Sequence, residues 1–265
     1  MNAVLDSVLT DLAAEGDSLR SLVRDLPDDA WRTPTPSPGW TVAHQVAHLH
    51  WTDDVSVVAI SDVDGFASLL ERAAGDPAGV VDAAAERLVA MPPADLLGRW
   101  DGTRALLVDA LRGVPPGTRI AWFGPPMSAA SMATARLMET WAHGHDVAEA
   151  LGHKVEPHDR ARHVAHLGVR TRGFAYSVHG LEPPTAEVRV ELVAPSGEVW
   201  AWGPPDAEQR VTGSGWDFAL LATRRRHRDD VDVHADGADA GEWLDVVQAF
   251  AGLPGPDPSR RDGSA

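Results

Sequence analysis

Two side chains that could hold a metal ion lie at helical spacing in the middle of the chain. Glu139 and His143 are four residues apart in a predicted helix over 129–151. Both side chains therefore project from one face of that helix, one turn apart. A carboxylate and an imidazole so placed can bind one divalent cation, provided that another element supplies a third ligand. The pair indicates part of a candidate metal site.

A second predicted helix, over 42–60, offers three histidines as the missing ligand, His44, His48 and His50. His44 and His48 are again four residues apart, whereas His50 points elsewhere. Two imidazoles and one carboxylate leave coordination positions open, as a catalytic metal requires. Spacing alone leaves the choice of histidine open, and glutamate–histidine pairs at this spacing also occur on solvent-exposed helix faces.

The elements that must position these residues are helices separated by loops rich in proline and glycine. Thr41 and Ser128 stand where the two ligand-bearing helices begin, and each can cap its helix. Facing helices of a bundle are a common source of metal ligands. The first 150 residues are therefore predicted to form a four-helix bundle with an accessory helix. The predicted helices are 3–26, 42–60, 77–91, 94–112 and 129–151.

The pattern changes after about residue 180, where side chains alternate between apolar and polar. The stretches 188–194 and 198–203, joined by the turn 195–197, are typical of a β-hairpin. A helix over 241–250 follows further strand or short-helix segments. The fold class is therefore predicted as α+β, a four-helix bundle followed by a small α+β domain. The expected divisions are 1–155 for the bundle, 156–180 for a connecting helix over 158–176, 181–253 for the α+β domain and 254–265 for a disordered tail.

Composition excludes several kinds of chemistry and of partner. The 265 residues carry 39 acidic and 23 basic side chains, a net charge of −16, which argues against binding to nucleic acid. The sequence has no apolar run long enough to cross a membrane and no signal peptide, so a cytoplasmic protein is expected. It has no cysteine, which excludes disulfides, thiolate ligands and a cysteine nucleophile. Any sulfur chemistry must use a thiol that arrives with a substrate or cofactor.

Two segments resemble the motifs of a known family. PSPGWTVAHQVAHLHWTD (36–53) is similar to the N-terminal motif of DinB-like metal-dependent bundles, and especially of the mycothiol-dependent maleylpyruvate isomerase family of actinobacteria. RLMETWAHGHDVAEALG (136–152) resembles the second motif of that family. A closer likeness, to an actinobacterial subfamily of uncharacterised metal-binding proteins, covers nearly the whole chain. The segments 122–147, 162–174 and 243–255 carry it.

The resemblance implies that the predicted four-helix bundle is DinB-like, and it also implies a site and a chemistry. His48, Glu139 and His143 match the three metal ligands of the family, whose members bind zinc or a similar divalent ion. The metal activates mycothiol, and the thiolate adds to an electrophilic carbon, giving an isomerase or an S-transferase. The resemblance thus implies a divalent metal, most readily zinc, with mycothiol as a thiol cofactor and a small molecule as substrate. No nucleic-acid or membrane partner is expected, and the sequence says little about the oligomeric state.

Three further residues are weaker candidates. Asp146 can support a ligand from outside the metal shell or lie on the helix surface. His44 can be an alternative ligand, a base in the pocket or an ordinary polar neighbour. Arg136 can bind an anionic cofactor or substrate.

Two alternatives to the thiol-dependent enzyme stay open. The same site could belong to a thiol-independent hydrolase, lyase or cyclase of secondary metabolism, in which the metal activates water or a carbonyl. It could also belong to a non-catalytic protein that binds a metal or small ligand.

Overall fold

The computed structural model describes residues 3–252, 255 and 257–261, which form two compact units, Met1–Val155 and Glu156–Ala265. The first unit is helical and the second combines a sheet with helices. This arrangement confirms the predicted fold class. Half of the predicted tail, 254–265, lies outside the described residues.

The helices of the first unit are α1 Ala3–Val23, α2 Val42–Ser61, α3 Val63–Ala73, α4 Pro77–Val89, α5 Pro93–Gly113 and α6 Ala129–Ala150. The unit is built on the four long ones, α1, α2, α5 and α6. α1 packs along α6, and α2 packs along both α5 and α6, so that α2 and α6 face each other inside the bundle. The core between them is apolar, with Val46 and Leu49 of α2 and Trp100 of α5 fully buried.

Capping side chains set where these helices begin. The Ser128 hydroxyl accepts a hydrogen bond from the Ser131 backbone N–H, 3.1 Å away, at the start of α6 as predicted. Asp62 and Asp76 cap α3 and α4 in the same way. The prediction has no helix between residues 60 and 77, so it misses α3. α3 begins only one residue after α2 ends, with Asp62 between them, so no loop in the sequence marks its start.

The second unit contains a mixed sheet of four strands, β1 Val188–Val193, β2 Val199–Trp202, β3 Gln209–Ser214 and β4 Val233–Asp236. Their order in the sheet is β2-β1-β3-β4. β1 and β2 form the predicted antiparallel hairpin, whereas β1 and β3 are parallel and β3 and β4 antiparallel. The predicted helix over 158–176 is two helices, which are separated at Thr171, where φ is −91° and ψ is 12° rather than helical. The helices of this unit are α7 Ala161–Arg170, α8 Arg172–Val178, α9 Gly215–Ala222 and α10 Ala238–Val246.

No helix within the described residues combines the length and the apolar character needed to cross a membrane.

Candidate metal centre

Three side chains from α2 and α6 converge in the first unit. His48 Nε2 lies 3.4 Å from Glu139 Oε2, and His143 Nε2 lies 3.2 Å from the same oxygen. One ligand atom from each residue falls within 4.8 Å of the other two. The structure therefore places together the three residues that the resemblance singles out as ligands.

The geometry of this cluster suits a small divalent ion. Two ligands of a tetrahedral ion with bonds of about 2.0–2.1 Å stand about 3.3–3.4 Å apart. The two nitrogen–oxygen distances, 3.4 and 3.2 Å, are close to that separation. Nitrogen and oxygen ligands of this kind suit zinc and its neighbours among the divalent metals. The side chains are 12 % exposed for each histidine and 20 % for Glu139, so a ligand can still reach the site.

The electrostatics of the cluster favour an ionised Glu139. Burial by itself would raise the pKa of its carboxyl group. Hydrogen bonds that His143 and His48 donate when their rings are protonated, with the nearby charges of His143 and Arg136, outweigh burial and hold that pKa well below its ordinary value. A carboxylate that stays ionised at neutral pH is the form that binds a cation.

His143 has a second partner that the sequence analysis did not identify. Its Nδ1 atom forms a short hydrogen bond with Oε1 of Gln45, a fully buried residue of α2. Gln45 Nε2 in turn donates to the Thr35 hydroxyl at 2.8 Å. Gln45 lies three residues before His48 on the same helix, so both side chains share one face. A polar side chain on the face that carries a ligand was the signal in the sequence that could have identified this partner.

The loop before α2 covers the cluster with an aromatic ring. The centroid of Trp40 lies 5.2 Å from that of His48 and 5.9 Å from that of His143. The loop closes on itself, because the Thr35 backbone N–H donates to the Trp40 carbonyl at 2.8 Å. Gly39 takes a φ of +79°, which favours glycine, at the turn just before Trp40.

Asp146 holds this loop against α6. Its Oδ2 accepts a hydrogen bond of 3.0 Å from the Ser37 hydroxyl, and its side chain is buried. It does not belong to the three-residue cluster found among the described residues. This hydrogen bond is with the loop that carries Trp40, and a role in supporting the metal ligands stays a prediction.

His44 lies one turn before His48, and both of its ring nitrogens have other partners. The Thr41 backbone N–H donates to Nδ1 at 3.2 Å, and Nε2 lies 3.3 Å from Glu86 Oε1. These contacts belong to the start of α2, where His44 helps to satisfy a backbone donor. The structure therefore gives His44 a capping role rather than a place in the cluster.

Arg136 lies one turn before Glu139 but points into the bundle. Its Nε donates to Asp53 Oδ1 at 2.9 Å and its Nη2 donates to Thr52 Oγ1 at 2.6 Å. The side chain is only 3 % exposed. The guanidinium that was predicted as a possible site for an anionic cofactor is therefore already paired with Asp53 and Thr52.

The basic run 224–228 follows α9 in the second unit, where acidic side chains accompany it. Arg224 pairs with Asp257, and Arg228 Nε lies 3.6 Å from Asp245 Oδ1. The run is thus partly neutralised within its own unit.

Aromatic side chains continue along α2 beyond the cluster. Trp51, one turn after His48, lies 6.4 Å from Phe123 between ring centroids. Phe123 also packs edge-on against Trp122 and Phe66, and it is 38 % exposed. These four residues form an apolar patch, called the aromatic wall below.

Comparison with known proteins identifies relatives over most of the chain. An uncharacterised protein of Mycobacterium tuberculosis, found in two strains, is 57 % identical over 247 residues, covering 93 % of this chain and 96 % of that protein. A crystal structure of the mycothiol-dependent maleylpyruvate isomerase superposes with a TM-score of 0.61 at 16 % identity, covering 87 % of this chain and 92 % of that one. A histidine-to-alanine mutant of that isomerase superposes with a TM-score of 0.57 at 17 % identity over the same shares. The structural matches confirm the DinB-like fold.

Family models match both units. The model described as wyosine base formation matches residues 184–236, which include the sheet of the second unit. The model described as mycothiol maleylpyruvate isomerase N-terminal domain matches residues 12–148, more than half of the chain, and its range includes all three residues of the cluster. This confirms the resemblance seen in the two sequence motifs, and the chain belongs to the mycothiol maleylpyruvate isomerase N-terminal domain family.

Proposed function

We propose that this protein is a metal-dependent enzyme that activates a low-molecular-weight thiol, mycothiol, for isomerisation of, or S-transfer to, a small electrophilic substrate. The observation that supports this most directly is the convergence of His48 Nε2 and His143 Nε2 on one oxygen of Glu139. The proposal also draws on membership of a family whose description names mycothiol and an isomerase.

The three clustered residues would hold the ion, and zinc is the ion proposed. A divalent metal bound there lowers the pKa of a thiol that contacts it, so that thiolate is available at neutral pH. Because the chain contains no cysteine, the thiol has to come from outside.

The residues around the proposed ion would balance its charge, restrict access to it and contact the substrate. The ionised Glu139 offsets positive charge in the cluster. Trp40 packs over both imidazoles and limits the directions from which water and ligands can approach. The aromatic wall, one turn along α2, offers apolar surface to the carbon skeleton of a substrate.

The proposal can be tested by metal analysis and spectroscopy on the full-length protein. Purified protein is expected to contain about one equivalent of divalent metal. After replacement of that metal by cobalt, mycothiol is expected to add a sulfur-to-cobalt charge-transfer band, which no thiol of this chain could produce. His48→Ala should lose both the metal and the consumption of soft electrophiles by mycothiol.

The matched control is His44→Gln, which removes an imidazole one turn away on the same helix. Glutamine at this third helical position can still accept from the Thr41 backbone N–H, so the start of α2 should be preserved. Metal content and activity should match those of the wild type. Electrophile consumption at equal rates in wild type and His48→Ala would refute the proposal. A cobalt spectrum that mycothiol leaves unchanged would favour a thiol-independent metal enzyme.

A further inference from the structure

A chain of hydrogen bonds leads from a loop carbonyl to the ring of His143. The Thr35 hydroxyl lies 3.0 Å from the Trp40 carbonyl oxygen, and Gln45 Nε2 lies 2.8 Å from that hydroxyl. The other end of the Gln45 amide meets His143 Nδ1. Gln45 is fully buried, so water does not compete for these contacts.

The direction of every proton in this chain follows from its first member. A carbonyl oxygen can only accept, so the Thr35 hydroxyl donates its one hydrogen to the Trp40 carbonyl oxygen. Towards Gln45 the hydroxyl therefore offers a lone pair, and the amide must turn its NH2 group to it. The amide oxygen then faces His143 and can only accept from it.

His143 must therefore carry hydrogen on Nδ1. A neutral imidazole has one N–H, so Nε2 presents a lone pair, and it does so 3.2 Å from the carboxylate oxygen of Glu139. Two electron-rich atoms at that distance repel each other unless positive charge lies between them. The chain of bonds thus prepares Nε2 to bind a cation.

We propose that Gln45 is a positioning residue that fixes neutral His143 in the tautomer with hydrogen on Nδ1, so that the lone pair on Nε2 can bind a metal. Thr35 orients the Gln45 amide for this purpose. The importance of the tautomer for metal binding rests on the proposed function, but the tautomer itself is a property of the metal-free protein.

The two neighbouring histidines differ in a way that sharpens the inference. His48 Nδ1 is buried with no hydrogen-bond partner among the described residues, so packing against Trp40 and His143 orients that ring. His44 Nδ1 accepts from the Thr41 backbone N–H, which requires neutral His44 to carry its hydrogen on Nε2. His44 and His143 should therefore show opposite tautomers within one protein.

The experiment is long-range proton–nitrogen correlation spectroscopy on the metal-free, full-length protein with 15N-labelled histidine. The pH dependence of the same signals shows where each ring becomes neutral, and the tautomers are determined from spectra recorded above that pH. The His143 and His44 signals are assigned from His143→Gln and His44→Gln samples. His143 should show a protonated Nδ1, and His44 a protonated Nε2.

Substitutions at Gln45 test the cause. Gln45→Leu removes the acceptor, so the His143 proton should move towards Nε2, and zinc affinity should fall about 10–100-fold, as for other outer partners of metal ligands. Gln45→Glu keeps an acceptor and should retain the wild-type tautomer and zinc affinity. Thr35→Val should weaken the preference of His143 for the Nδ1-protonated tautomer when residue 45 is glutamine. It should have no such effect in Gln45→Glu, because either oxygen of a carboxylate can accept from Nδ1.

The possible results separate the two proposals. Hydrogen on Nε2 of His143 in the wild-type protein, or an unchanged His143 tautomer in Gln45→Leu, would overturn the role of Gln45, whatever metal binds. The expected tautomers with no zinc binding would leave that role intact and refute the proposed function instead. The wild-type spectrum alone decides the assignment if Gln45→Leu fails to fold.

Discussion

The guanidinium of Arg136 on α6 and the carboxylate of Asp53 on α2 form an ion pair inside the helical bundle. Nε lies 2.9 Å from Oδ1, and neither side chain is more than 4 % exposed. The second carboxylate oxygen accepts from the Trp100 indole N–H at 3.2 Å. The pair thus joins α2 to α6 close to the candidate metal centre.

Breaking this pair from one side should destabilise the protein strongly. Arg136→Met leaves the Asp53 carboxylate buried without its cation, at an expected cost of about 3–5 kcal/mol in the free energy of unfolding. Asp53→Asn should cost a similar amount for the converse reason. The double variant should lose less than the sum, because it leaves no unpaired charge. Urea unfolding of the four proteins measures this, and strict additivity would show that the pair contributes no coupling.

His50 should make stability depend on pH near neutrality. Burial lowers its pKa, and the nearby Asp54 and Asp53 only partly oppose this. The unfolded chain therefore takes up a proton near the ordinary value of 6.5 while the folded protein resists it. The stability present above pH 6.5 is lost as the pH falls towards the lower folded pKa.

The measurement is the free energy of unfolding between pH 7.5 and 5 in the presence of a chelator, for wild type and His50→Gln. The wild type should lose stability more steeply than the variant over this range. Equal slopes would contradict the assigned pKa shift. Because both proteins keep the clustered histidines, the difference in slope reports on His50 alone.

Two glycine-to-alanine substitutions should have opposite effects on stability. Gly39 has a φ of +79° and no atom within 4 Å of an added Cβ, so Gly39→Ala costs only backbone strain, about 1–2 kcal/mol. Gly98 is exposed within α5 and also has room for a Cβ. Gly98→Ala should stabilise the helix by about 0.5–1 kcal/mol. Chemical denaturation distinguishes the two, and a gain in stability from Gly39→Ala would exclude strain at that turn.

The aromatic wall should affect substrate binding rather than metal binding. Phe123→Ala removes an exposed ring that packs against Trp51, Trp122 and Phe66 but touches none of the clustered residues in the contacts described. The KM for an apolar electrophile should rise, while metal content stays at the wild-type level. Steady-state kinetics with elemental analysis tests this. Loss of metal from Phe123→Ala would instead place the ring among the supports of the cluster.

Local signals explain how much of the fold was predictable. Thr41 and Ser128 start α2 and α6 at the predicted residues, because a capping side chain next to an apolar periodic pattern is a short-range feature. α3 was missed because only Asp62 separates it from α2, and the break at Thr171 was missed because the backbone angles of one residue do not alter the apolar pattern. The parallel pairing of β1 with β3 likewise depends on tertiary structure.

The candidate site was only partly accessible from sequence for the same reason. Glu139 and His143 share one helical turn, so their spacing was informative, whereas the choice of His48 depended on the resemblance. Gln45 acts on a residue 98 positions away, and that distance hides the contact from any local pattern. The ion pair between Arg136 and Asp53, which are 83 residues apart, could not be predicted for the same reason.

The separation of the clustered residues along the chain has a consequence for the life of the protein in the cell. His48 and Glu139 are 91 residues apart, so an ion bound by both would tie α2 to α6 in a chain that has no cysteine for a covalent link. An ion that binds the folded state alone at 100 times its Kd adds about 2.7 kcal/mol to stability. Metal starvation would then expose the first unit to proteolysis, and the amount of this protein would follow the metal supply of the cell.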